Sequence, residues 1–127
     1  LYEAARIMES YPHQLSGGML QRVMIAIAFS LQPVLLVADE PTGALDAYNS
    51  RLITDLLVKT AETSHTTVLF ASHDMNAVEN IADTVAVMKN GKIVEYGAAK
   101  KILQSPRHAY TAELLAASRL GKEAARA

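Results

Sequence analysis

Val34-Leu35-Leu36-Val37-Ala38-Asp39-Glu40-Pro41 decides the fold: an unbroken apolar run that ends in two carboxylates and a proline. A run this short, with Pro33 before it and Pro41 after it, is the pattern of a central strand in a parallel sheet, with a loop at its carboxyl end. In open α/β sheets that end is the ligand-binding edge. Asp39 and Glu40 stand there. Two adjacent carboxylates allow divided labour. One can hold Mg²⁺ through hard oxygen ligands and water, and the other can orient or deprotonate an attacking water. Taken alone, the pair is equally compatible with a solvated strand end.

Upstream of the strand lies Leu15-Ser16-Gly17-Gly18-Met19-Leu20-Gln21-Arg22. Serine followed by two glycines opens an apolar helical run from Ser16 to Leu31, expected to be mostly buried and closed by Gln32-Pro33. The free N–H groups of a helix start and the positive end of its dipole suit a phosphate. Gly17 and Gly18 remove the β-carbons that would hold a ligand off, and Ser16 suits the N-cap. Ser-Gly-Gly also opens ordinary helices, so the motif gains weight only with its neighbours. Before it, Leu1 to Ser10 has helical periodicity and stops at Tyr11-Pro12.

Downstream, Pro41-Thr42-Gly43-Ala44-Leu45-Asp46 is a loop, with Asp46 as a candidate N-cap for an amphipathic helix from Tyr48 to Thr63. Thr66 to Ala71 is a second buried strand, rich in β-branched residues and followed by Ser72-His73-Asp74. His73 therefore stands at a strand end, as Asp39 and Glu40 do, where it can donate to a terminal phosphate. A lone histidine in that place also serves as an ordinary helix entry. Met75 to Ala82 reads as a short helix. Thr84 to Met88 and Lys92 to Tyr96 form a hairpin around Asn90-Gly91. Ala98 to Gln104 and Ala109 to Leu120 are helical, parted by Ser105-Pro106, and Gly121 to Ala127 is expected to fray. Met19, Met24, Met75 and Met88 are expected in the core. His13, His65 and His108 lack ligand spacing and read as loop or surface residues.

The bulk properties narrow the classes. The chain has 127 residues, half of them hydrophobic and a fifth charged, which suits one domain with a real core. A formal net charge of −1 offers no footprint for nucleic acid or for an anionic membrane. With no cysteine, disulfides and Cys-ligated metal centres are excluded. No apolar run reaches spanning length and no signal-peptide pattern opens the chain. It begins at Leu1 and not at Met, which is expected of a fragment or a processed chain.

The motifs in their order, from a Leu-Ser-Gly-Gly helix start to an apolar strand ending Asp-Glu, a Pro-Thr-Gly-Ala-Leu-Asp loop and a strand followed by His, resemble the catalytic second half of an ATP-binding cassette ATPase. The resemblance spans roughly Tyr11 to Tyr96. It implies a partial P-loop NTPase fold of the α/β class, with parallel core strands, flanking helices, a signature helix, and a C-terminal β-hairpin with helices. Residues 1–97 would be the C-terminal part of the nucleotide-binding domain, without its Walker A half, and 98–127 a helical extension.

By the same resemblance, Leu15, Ser16, Gly17, Gly18 and Met19 form the signature that caps the γ-phosphate of ATP held by a second ATPase subunit. Leu35 to Asp39 resembles Walker B, with Asp39 on the Mg²⁺ side. Glu40 matches the glutamate that polarises the attacking water. Ala44, Leu45 and Asp46 match the D-loop, and His73 the switch histidine. Tyr11-Pro12-His13-Gln14 and Ser105-Pro106-Arg107-His108-Ala109-Tyr110-Thr111 are similar to the peptide and nickel importer branch. Gly43 departs from the Ser or Thr often found at its position in the family.

The implied partners are a second ATPase subunit, identical or related, membrane permease subunits and, indirectly, an extracytoplasmic solute-binding protein. The implied place is the cytoplasmic face of the inner membrane. The residues contain no Gly-x-x-x-x-Gly-Lys-Ser/Thr loop. The 127-residue chain alone is therefore expected to bind ATP poorly, to hydrolyse almost none, and to expose the edges of its two apolar strands. The competing expectation is a truncated, non-hydrolysing chain that is silent or that pairs with an intact subunit and lends it the signature. A DNA-repair or chromosome ATPase fits less well, because the charge is neutral and no coiled coil precedes the signature.

Overall fold

The computed structural model describes residues 2–43 and 45–124. They form two compact units, residues 1–71 and 72–127.

The first unit opens with α1 (Tyr2–Met8) and a single 3₁₀ turn (Pro12–Gln14). Proline suits the first position of that turn because the N–H it lacks would have no partner there. Next come α2 (Gly17–Ser30), β1 (Leu35–Asp39), α3 (Ala47–Ser64) and β2 (Thr67–Ala71). β1 and β2 pair in parallel, Leu35 against Thr67 through Asp39 against Ala71. Parallel neighbours need a long connection, and α3 supplies it. The pairing is prolonged at its start, where Thr67 N–H donates to Val34 and the buried Thr66 hydroxyl donates to Pro33.

α3 buries Ile53, Leu57 and Ala61, spaced one helical turn apart, and α2 packs on it, burying Ile25 and Phe29. Ile53 and Leu57 are each only 1% exposed and anchor this core.

Burial departs from expectation in α2 and in both strands. α2 is not mostly buried: Met24 is 59% and Ile27 57% exposed, because α3 covers only one side of it. The strands are not buried on both faces either. Leu35, Val37 and Leu69 are exposed and share one face in the observed register, while Leu36, Ala38, Val68 and Phe70 on the other are partly buried. Period-2 geometry makes that division automatic once one face is covered.

The second unit holds α4 (Met75–Ile81), the antiparallel strands β3 (Thr84–Lys89) and β4 (Lys92–Ala98), α5 (Ala99–Gln104) and α6 (Ala109–Ala124). Asn90 and Gly91 turn the hairpin with φ of +50° and +74°, the left-handed pair that a two-residue loop requires. The register slips between Val87 and Met88, where β4 carries a bulge. Val85, Val87, Ala99, Ile102, Leu103 and Leu115 form the core, with Met75, Tyr110 and Leu114 against it.

Met88, expected inside, is 59% exposed because it alternates with the inward Val85 and Val87. The expected frayed tail begins later than Gly121, since α6 runs to Ala124. The rest lies outside the described residues.

Glu95 ties β4 to the start of α6. Its Oε1 accepts from Arg107 N–H at 2.8 Å and its Oε2 from His108 N–H at 3.2 Å. The Thr111 hydroxyl lies beside this carboxylate. That hydroxyl and the Arg107 N–H hold the Glu95 carboxyl below its usual range.

Candidate functional site

Two helix starts and one strand end carry the candidate residues of the first unit. At the start of α2, Ser16 takes an extended backbone and its hydroxyl accepts the Met19 N–H at 3.3 Å, so the expected N-cap is present. The chain is led into this turn by the 3₁₀ helix. There the Gln14 side chain accepts the Tyr11 N–H at 2.8 Å, and the Tyr11 and His13 rings stack at 5.7 Å. Leu15 is half-buried, whereas Ser16 and Gly17 are exposed.

At the start of α3, Asp46 is the N-cap. Its Oδ1 accepts the Asn49 N–H at 2.9 Å and its Oδ2 accepts the Asn49 side-chain amide at 2.7 Å. These bonds, the backbone one first, hold the Asp46 carboxyl below its ordinary value.

The two helix starts lie side by side. A β-carbon on Gly17 would stand 3.5 Å from Leu45 Cδ2, and one on Gly18 would stand 3.4 Å from Asn49 Oδ1. Residues from the Leu15–Met19 turn and from the Leu45–Asp46 loop are thus brought together. Ala44, also expected in this loop, lies outside the described residues.

Asp39 ends β1, exposed, on the face that also carries Leu35 and Val37. Glu40 follows in the left-handed region, φ +45°. For a residue with a β-carbon this costs about 1–2 kcal/mol, and it persists because both sides of the residue are tied. Its N–H donates to Ala71 at 2.9 Å, and its carbonyl accepts from Gly43 at 3.1 Å. Held backbone strain of this kind concentrates at functional positions. Gly43 also lies under the side chain: a β-carbon there would be 3.5 Å from Glu40 Oε2.

His73 belongs to the second unit, exposed, between the end of β2 and the start of α4. Next to it Asp74 caps α4 by accepting the Asn76 N–H at 2.9 Å.

Among the described residues no group of three or more His, Asp or Glu side chains gathers as a metal site, so each group is taken singly. Asp39 offers an exposed hard oxygen donor of the kind Mg²⁺ takes. The first turn of α2 offers main-chain N–H groups flanked by a hydroxyl and no β-carbon on two successive residues. Asn49 was not among the residues singled out by sequence. Its place three residues after an N-cap is where a capping side chain reaches back, which is the one signal that marks it.

Comparison with known proteins agrees with this architecture, a mixed α/β chain with parallel strands and flanking helices. Residues 2–43 match the family described as ABC transporter. Over about nine tenths of its length the chain is a homologue of ABC ATPases from import systems. It is 44% identical over 115 residues to the metal-staphylopine import system ATP-binding protein of Staphylococcus aureus, covering 91% of this chain and 42% of that relative. It is 49% identical over 113 residues to the probable D,D-dipeptide transport ATP-binding protein of Escherichia coli, covering 89% and 34%. The glutathione import ATP-binding protein of Escherichia coli is 50% identical over 115 residues, covering 91% and 18%. The chain thus spans less than half the length of these relatives. Among the described residues no helix is long and apolar enough to cross a membrane.

Proposed function

We propose that this chain supplies the signature, metal-side and water-polarising residues of an ATPase subunit that couples ATP hydrolysis to solute import, the solute being a peptide or nickel. Residues 1–97 belong to its nucleotide-binding domain and 98–127 to a helical extension. The phosphate cradle on which these residues act is contributed from outside the 127-residue sequence.

In this reading Asp39 would hold Mg²⁺, which when bound would neutralise phosphate charge. Glu40 accepts a hydrogen bond from the attacking water and aims it at the γ-phosphorus. His73 donates to a γ-phosphate oxygen. Leu15 to Met19 present the α2 amides and the Ser16 hydroxyl to ATP bound by a second ATPase subunit, and Ala44, Leu45 and Asp46 line that interface. Membrane permease subunits, fed by a solute-binding protein, take up the resulting motion at the cytoplasmic face of the membrane.

The observation that carries the reading is the strained Glu40, tied on both sides directly after a carboxylate that ends an apolar strand. The relatives' names support import, of peptides in some cases and of a metal–staphylopine complex in another.

The test is Mg²⁺-dependent ATP turnover by the purified subunit that carries this sequence, beside Glu40→Gln. The variant should lose about a hundredfold or more in rate and keep nucleotide affinity. Turnover unchanged in the variant would remove Glu40 from the mechanism.

A further inference from the structure

Gly18 and Asn49 meet where the starts of α2 and α3 adjoin. A β-carbon on Gly18 would lie 3.4 Å from Asn49 Oδ1 and 3.7 Å from its Cγ. That is the short end of ordinary van der Waals contact, so a methyl there would fit only while the amide stays in place or moves away. The Asn49 amide is poorly placed to yield. Its Nδ2 donates to Asp46 Oδ2 at 2.7 Å, while its own N–H donates to Asp46 Oδ1 at 2.9 Å.

Asp46 is itself pinned by its role as N-cap of the 18-residue α3. Among the described glycines only Gly91 and Gly97 have positive φ, so the backbone at residue 18 does not call for glycine. The amide instead approaches residue 18 to the short end of ordinary contact. The next glycine repeats the arrangement more loosely, with Leu45 Cδ2 at 3.5 Å from a β-carbon on Gly17.

We propose that Asn49 is a positioning residue: clamped by Asp46, its amide fixes the Gly18 turn of α2 against the Leu45–Asp46 loop, so that the two helix starts act as one rigid element. Asn49 is half-buried beneath the turn and touches no reacting atom in this scheme. It acts through Ser16, Gly17 and Gly18 by setting where the amides of the first turn point. The contact stands on geometry alone, and its consequence for hydrolysis rests on the function proposed above.

A double-mutant cycle on the 127-residue chain tests the contact without nucleotide. By urea unfolding, Gly18→Ala should lower the folding equilibrium constant about three- to tenfold when Asn49 is present. In an Asn49→Ala background the same change should be neutral or favourable, since alanine is the better helix former. The same factor in both backgrounds overturns the proposal.

Amide hydrogen exchange gives a reading that needs no unfolding transition. Asn49→Ala should speed exchange at Met19 about fivefold, and an unchanged rate also overturns it. In the assembled ATPase, Asn49→Ala should lower kcat about fivefold with KM for ATP within about twofold. An unchanged kcat removes the positioning role. Glu40→Gln tests the ATPase reading separately, so failure of that reading and failure of the Asn49 contact are distinguishable.

Discussion

The N–H of Glu40 donates to the carbonyl of Ala71 at 2.9 Å, joining the residue just after β1 to the last residue of β2. The parallel ladder therefore continues one step beyond β1, into a residue whose φ is +45°. Strand pairing, and not the local preference of glutamate, sets the backbone from which this carboxylate projects.

Replacing Glu40 by glycine should accordingly separate stability from activity. Glycine tolerates the left-handed region, so the variant should be as stable as the parent or up to about 1 kcal/mol more stable, while ATP turnover is lost with the carboxylate. Urea unfolding and a turnover assay check the two arms. A clear loss of stability would mean that the Glu40 side chain contributes packing beyond its backbone role.

The core of the first unit rests on α3. Leu57→Ala, at a position 1% exposed, should destabilise by about 2–5 kcal/mol. Truncating the exposed Leu35 or Val37 should change stability far less, because their face of the sheet is already open to solvent. Equal losses at Leu57 and Val37 would contradict the assigned burial.

Low pH should weaken both units by the same route. The folded-state carboxyls of Asp46 and Glu95 are held below their ordinary values of 3.8 and 4.5. Folding then favours the ionised forms, and their contribution is complete above those ordinary values. It is lost as pH falls through the lower folded-state values. Denaturation midpoints measured from pH 6 down to pH 2 should fall in that acid range, with a smaller fall in Asp46→Asn and in Glu95→Gln. An undiminished acid response in both variants would assign the effect to other carboxyls.

In the hairpin, Gly91 sits at φ +74° with open space around it. Gly91→Ala should cost about 1 kcal/mol through backbone strain alone, and Asn90→Gly should be tolerated. Thermal unfolding of the two variants reads this directly. A neutral Gly91→Ala would mean that the turn relaxes to another type.

Much of this was legible in the sequence because the local patterns agree with one another. Val34 to Ala38 and Thr66 to Ala71 announce strands by β-branched and apolar runs, and Asn90-Gly91 announces the hairpin turn. Ser16 and Asp46 announce helix starts, and all of these are seen. Burial was harder to read. Met24, Met88, Leu35 and Val37 are apolar residues that the packing leaves exposed, and composition cannot tell which face a neighbour covers. The bulge in β4 carries no glycine or proline to mark it. The capping position marks Asn49, but its contact with Gly18 does not show in the sequence, because it spans two helix starts that only the fold brings together.

In the proposed function Glu40 activates water for attack on bound ATP. The most direct test is retention of labelled ATP by the subunit carrying Glu40→Gln, assembled with its partner in the presence of Mg²⁺. The variant is expected to hold ATP unhydrolysed through a time in which the parent converts it to ADP. ADP appearing at the parental rate would contradict it.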